Sequence, residues 1–142
     1  MPWLLDTNVI SEVRRPKPDQ RVVSFISFRP FDQLYVSTVT LAEIRFGIEL
    51  LQDPSHRSLL NAWVTNIVRP MFYDRILPIT EDVVLRWRLL VESGRKIGRT
   101  FSQPDLFIAA TALEYGLILA TRNTKDFEDL GLNMINPRIE KA

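Results

Sequence analysis

The sequence predicts an α/β fold, a three-layer α/β/α sandwich around a short parallel sheet. Two observations predict it. Apolar runs of strand length, among them Trp3-Leu4-Leu5, Leu34-Tyr35-Val36 and Leu117-Ile118-Leu119-Ala120, are continuous rather than alternating, as expected of strands buried on both faces. Between them lie amphipathic stretches of helical period, the crossovers that parallel strands require.

Trp3 to Leu5 is the first strand, and it ends at Asp6-Thr7-Asn8, where a helix starts. Arg14-Arg15-Pro16-Lys17-Pro18 stops that helix, because proline lacks an N–H and restricts the residue before it. Residues 19–28 form a second short helix closed before Pro30, and Leu34 to Ser37 a second strand. From Thr40 the period is helical: Leu41, Ile44, Ile48 and Leu51 share one face. Leu60, Trp63, Val64, Ile67 and Val68 then repeat the i, i+3, i+4, i+7, i+8 spacing. Residues 75–79 make a third strand carrying Pro78. Thr80 caps a helix whose inner face is Val83, Trp87, Leu90 and Val91, and Pro104 stands in the first turn of another that ends near Gly116. Leu117 to Ala120 is a late strand and Met134-Ile135 the last. With no repeat, low-complexity tract or long linker, residues 1–142 read as a single domain.

Composition excludes several classes of function. Hydrophobic residues are 46% and charged residues 25% of the 142, a globular profile. Cysteine is absent, which removes disulfides, thiolate catalysis and sulfur-ligated zinc and suits a reducing cytoplasm. The first residues lack the basic and apolar regions of a signal peptide, and no apolar run approaches the roughly 20 residues that span a bilayer. A soluble, cytoplasmic protein is the expectation. The net charge of +1 is far from a strongly basic footprint, yet lysine occurs only at Lys17, Lys96, Lys125 and Lys141. The positive charge is thus mostly arginine, whose planar fork suits phosphate or carboxylate. His56, the one histidine, is remote in sequence from the acidic motifs, which argues against histidine-based acid–base chemistry.

In open parallel sheets, ligands sit beyond the carboxyl ends of the strands. Asp6 directly follows the first strand, Glu43 lies in the helix after the second, Asp105 begins the helix at Pro104, and Asp126 follows the late strand. Each has an ordinary explanation. Asp6 can cap a helix, Thr40 and Glu43 have capping-box spacing, Asp105 suits a helix dipole, and Asp126 can be a solvated loop carboxylate. Together they ask for more, because two unit charges 4 Å apart repel by roughly 4 kcal/mol at an effective dielectric of 20. Carboxylates sharing a cleft take up protons or bind a cation, and Mg²⁺ with its oxygen ligands and retained waters is the natural partner.

The Asp6-Thr7-Asn8 start, the Glu43 helix, the Pro104-Asp105 helix with its Ala109-Ala110-Thr111-Ala112 run, and Thr121-Arg122-Asn123 with Asp126-Phe127 resemble PIN-domain nucleases, most closely VapC-type toxins of bacterial toxin–antitoxin pairs. The resemblance covers nearly the whole chain. It implies hydrolysis of RNA by metal-activated water, with Mg²⁺ or Mn²⁺ as cofactor, leaving a 5′-phosphate and a 3′-hydroxyl. It also implies that Asp6, Asp105, Glu43 and Asp126 are the catalytic and metal-binding residues. Asp6 and Asp105 would be the main ligands, with Glu43 holding a second ion or orienting the nucleophile. The fourth acid departs from the pattern, because the third position of Thr121-Arg122-Asn123 is neutral. Asp126 is assigned to it, with Asn123 as a polar ligand or water-positioner. Thr7, Asn8, Ser37, Thr121 and Arg122 are candidates for supporting or substrate contacts, although hydroxyl residues at strand ends also cap helices.

The expected partners are RNA, an inhibiting antitoxin and a second copy of the chain. Phe46 and Leu50, on a different helical face from Leu41, Ile44 and Ile48, suit a protein contact or a helix buried on two sides. Arg95-Lys96-Ile97-Gly98-Arg99 tracks RNA or simply ends a helix. Two alternatives remain open. One is a catalytically silent interaction module of the same fold. The other is a receiver-like Mg²⁺-binding phosphoacceptor, which wants an aspartate after a middle strand where this chain has Ser37.

Overall fold

In the computed structural model, which describes residues 2–139, the sheet has five strands in the order β3-β2-β1-β4-β5. The strands are β1 (Trp3–Leu5), β2 (Leu34–Ser37), β3 (Ile76–Leu77), β4 (Ile118–Ala120) and β5 (Met134–Ile135), and every neighbouring pair is parallel. The chain winds from β1 outward through β2 to β3, then returns to the other side of β1 for β4 and β5. The order therefore reverses between β1 and β4. In a sheet of this kind the crevice opens at that reversal.

Alternation along β1 and β4 divides the core into two halves. Leu5 and Ala120 face one side, packed with Val9 and Ile10 of α1 (Thr7–Glu12), Val22 and Phe25 of α2 (Gln20–Ser27), and Leu41, Ile44 and Ile48 of α3 (Thr38–Glu49). Leu4 and Leu119 face the other, against Val83 and Leu90 of α6 (Glu81–Lys96) and Leu106, Ile108 and Ala109 of α7 (Gln103–Tyr115). Leu4, Leu5, Leu119 and Ala120 are wholly buried, which is why these strands read as continuous apolar runs. The three-layer α/β/α architecture is as expected.

Local chemistry departs from the sequence expectation in three places. Ser37, not Thr40, caps α3: its Oγ accepts from the backbone N–H groups of Val39 at 2.9 Å and Thr40 at 3.3 Å. Glu43 therefore stands inside the helix, and the capping-box explanation of that residue falls away. Ile67 is 52% exposed although its spacing places it inward. The helix α4 (Pro54–Trp63) runs into a π turn over Val64–Val68 before α5 (Arg69–Met71), and the wider turn rotates Ile67 outward while Val64 and Val68 stay buried. The third strand shrinks to Ile76–Leu77, at the sheet edge and ahead of Pro78, which has no N–H to give to a ladder.

Two features hold the site's end of the sheet. α7 ends at Gly116, whose positive φ of 65° accommodates a left-handed cap, and the Leu117 N–H returns to Ala112 O at 2.9 Å. This tight reversal into β4 makes α7 antiparallel to the strands, so its first turn lies at their carboxyl ends. The 3-10 turn Thr124–Phe127 is anchored by Phe127, 1% exposed beside Leu119 and Leu130. Phe127→Ala should cost about 3–5 kcal/mol in urea unfolding, the usual range for emptying such a site. A loss under about 1 kcal/mol would show that the turn is not anchored there.

Candidate active site

Leu5 of β1 is in register with Ala120 of β4, so the next residues, Asp6 and Thr121, leave the sheet side by side at the reversal point. Asp6 N–H donates to Ala120 O at 2.9 Å, and its carboxylate is only 5% exposed. Three donors hold it. The Thr7 N–H reaches Oδ1 at 2.8 Å, the Thr121 hydroxyl reaches Oδ2 at 2.8 Å, and Asn8 Nδ2 reaches Oδ2 at 3.2 Å. Asn8 also ties the two chain segments together, its Oδ1 accepting from the Arg122 N–H at 3.0 Å. The Asn123 N–H donates to Thr121 Oγ1 at 3.1 Å, and Asn123 O receives the Asp126 N–H at 3.0 Å, which sets the turn that carries Asp126. Asp6 is therefore both the cap of α1 and the best-held acid of the site.

Asp105 stands in the first turn of α7, half-buried, its N–H capped by Ser102 Oγ at 3.3 Å. The three aspartates act on one another. Burial pushes the Asp6 carboxyl up from the ordinary aspartate range, the Thr121 hydroxyl and the Thr7 N–H oppose this, and the charges of Asp105 and Asp126 raise it further. Burial likewise raises Asp105, the Ser102 hydroxyl opposing and the Asp126 charge adding to the rise.

Asp6, Asp105 and Asp126 thus come within electrostatic reach, from segments about 20 to 120 residues apart in the chain. Asp126 is exposed at the rim. Glu43 is half-buried in α3. Ser37 serves as the α3 cap, Thr7 contributes its backbone, and Arg122 turns toward the buried Glu12. His56 is exposed on α4.

Two functional supports were invisible in the sequence. Arg99, expected as a helix end or an RNA contact, donates to Lys125 O at 2.7 Å and Glu128 O at 2.6 Å and pairs with Asp129 at 2.7 Å. It clasps the turn on both sides of Asp126. Arg95 pairs with Glu92 on its own helix. The other support is Glu12, 2% exposed and ringed by arginines. A lone glutamate at the end of a short helix gives no signal of burial, since two of its partners, Arg122 and Arg138, are over 100 residues away.

Among the described residues, no three His, Cys, Asp or Glu side chains form a group set to hold a metal ion unaided. The donors are hard oxygens whose mutual repulsion a divalent ion would relieve. At the same end of the sheet, the fully buried Thr40 Oγ1, one turn before Glu43, has no hydrogen-bond partner among the described residues.

Residues 3–132 match the PIN domain family. The chain belongs to the PIN-domain family. This PIN domain is 36% identical over 134 residues to a protein named VapC ribonuclease Y4jK from Sinorhizobium fredii, covering 94% of this chain and 96% of that one. It is likewise 36% identical over 134 residues to a protein named toxin FitB from Neisseria gonorrhoeae, with the same shares covered. The crystal structure of FitAcB from Neisseria gonorrhoeae superposes with a TM-score of 0.91 at 35% identity, over 97% of the PIN domain here and 99% of that chain.

The raised carboxyls have a consequence for stability. A carboxyl whose folded pKa exceeds its unfolded one binds its proton more tightly when folded. Its stabilising contribution is full below the ordinary value of 3.8 and is lost as pH rises through the raised value. In chelator, the stabilising contributions of Asp6 and Asp105 should therefore fall as pH rises above 3.8, and between an acidic and a neutral pH Asp105→Asn should lose less stability, or gain more, than the parent. Urea midpoints at the two pH values check this, and an equal or steeper fall in the variant would contradict it.

Proposed function

We propose that this chain is an endoribonuclease, the toxin of a toxin–antitoxin pair, which hydrolyses RNA phosphodiester bonds with Mg²⁺ or Mn²⁺. The observation that carries the reading is that Asp105 and Asp126 lie within electrostatic reach of Asp6, which stands where the strand order reverses. The names of its relatives, a VapC ribonuclease and a toxin, support the same activity and biological setting.

Asp6 and Asp105 would hold the ion, directly or through water, with Asp126 at the rim and Glu43 on the facing helix as further oxygen donors. A bound divalent ion supplies a water of lowered pKa and polarises the phosphoryl oxygen. The protein's own part is to orient. The Thr121 hydroxyl, the Thr7 N–H and the Asn8 amide fix both oxygens of Asp6, leaving little freedom for that carboxylate. Asn123 shapes the turn under Asp126 through its backbone and leaves its side chain for water or substrate. Arg99 holds the same turn from outside.

The setting is a cytoplasmic one with an antitoxin partner. One structural neighbour, at 25% identity, is described as a toxin–antitoxin complex and another, also at 25%, as a member of the VapBC family of toxin–antitoxin systems, and no helix among the described residues is long and apolar enough to cross a membrane. Phe46 of α3 and Leu50, the residue that caps its end, are 60% and 66% exposed, an apolar face suited to the antitoxin or to a second copy of the chain.

Incubation with bulk tRNA should give fragments ending in 5′-phosphate and 3′-hydroxyl only when Mg²⁺ or Mn²⁺ is present. Asp105→Asn should cut no faster than the chelated parent while keeping the parent's circular dichroism. RNA left whole by the metal-loaded parent would favour the silent interaction module.

A further inference from the structure

An acidic pocket repels the phosphodiester it is proposed to cut, so attraction for a polyanion has to come from cations beside it. Glu12, at the end of α1, is 2% exposed, and a carboxylate that deep is costly without partners. Three guanidiniums gather on it. Arg138 Nη2 hydrogen-bonds Oε1 at 3.2 Å, while Oε2 accepts the Asp19 N–H at 3.2 Å. Arg15 Nη1 at 3.7 Å and Arg122 Nη1 at 3.9 Å are drawn by the same charge but lie outside hydrogen-bond reach.

Those two arginines are the informative ones. Neither guanidinium donates a hydrogen bond to any other described residue, and their side chains are 52% and 30% exposed. Planar forks drawn toward one buried carboxylate with their donors free suit a bidentate anion such as phosphate. Charge points the same way. Asp19, the other acid of the cluster, is bidentate to Arg21 at 3.1 and 2.8 Å and also meets Arg138 Nε at 3.4 Å, so Arg15, Arg21, Arg122 and Arg138 face only two carboxylates, Glu12 and Asp19.

Position completes the case. Arg122 follows Thr121, which holds Asp6, and its backbone is pinned on both sides, the N–H by Asn8 Oδ1 and the C=O by Asn136 Nδ2 at 3.1 Å. Asn136, 8% exposed, also accepts the Arg138 N–H at 3.0 Å. We propose that Arg15, Arg122 and Arg138, gathered on the buried Glu12, bind a backbone phosphate of the RNA beside the one being cut. Glu12 is a positioning residue here, acting through the arginines. This rests on the ribonuclease reading and adds where the substrate is gripped.

The test is binding of a fluorescent single-stranded RNA to the Asp105→Asn protein, by anisotropy across a salt series. Each phosphate contact on single strands contributes about 0.7 to the slope of log affinity against log salt. Arg15→Gln and Arg122→Gln should each flatten the slope by about that amount. Arg122→Lys should restore most of it, and Arg95→Gln, at the end of α6, should leave it unchanged. Arg138 stays intact so that Glu12 keeps its hydrogen-bonded partner. Parent slopes in both glutamine variants would overturn the site. Tighter binding of poly-L-glutamate than of RNA, lost in the same variants, would overturn it in favour of an acidic protein segment. Cleaving protein with unchanged slopes sinks this site alone, whereas arginine-dependent slopes in a protein that cuts no RNA keep the site and sink the nuclease reading.

Discussion

The burial of the Asp6 carboxylate is the constraint around which this end of the molecule is arranged. A charge 5% exposed at the end of a central strand is unfavourable in isolation, and the fold answers with donors on every side. Two come from the same turn, Thr7 and Asn8, and one from Thr121, 115 residues later. That last contact exists only because β4 is laid beside β1 in a register that brings Thr121 level with Asp6. Sheet order, strand register and site chemistry are therefore one fact seen at three scales.

Against this, Asp105 and Asp126 bring negative charge toward Asp6 instead of neutralising it. A fold selected for stability alone would place a cation there. The nearest arginine in sequence to the pocket, Arg122, instead turns its side chain to Glu12, so acids and bases are sorted into adjoining territories. An acidic pocket beside a basic patch is the charge pattern expected of a site that must admit a polyanion and still hold a cation.

The sequence exposed the parts of this that depend on local pattern. Strands buried on both faces read directly as apolar runs, and Asp6, Asp105 and Asp126 stood out by their places relative to strand and helix starts. What stayed hidden depends on geometry that pattern does not carry. The π turn that turns Ile67 to solvent leaves the helical spacing intact on paper. Thr40 seemed a helix cap because the hydroxyl three residues earlier, Ser37, also ended a strand, and only hydrogen bonds separate the two. Glu12 and Arg99 look like surface charges until the residues that meet them, Arg138 and the Lys125–Asp129 turn, are folded in from far along the chain. Glu43, conspicuous in sequence by its helix, is half-buried in α3.

Three aspartates that share one field would be discharged by a divalent cation. Carbon-13 NMR titration of the aspartate carboxyls in full-length protein tests this most directly, with and without Mg²⁺. Asp6 and Asp105 should titrate above the ordinary aspartate range in chelator, and Mg²⁺ should draw both downward. Ordinary values for both, unmoved by saturating Mg²⁺, would contradict it.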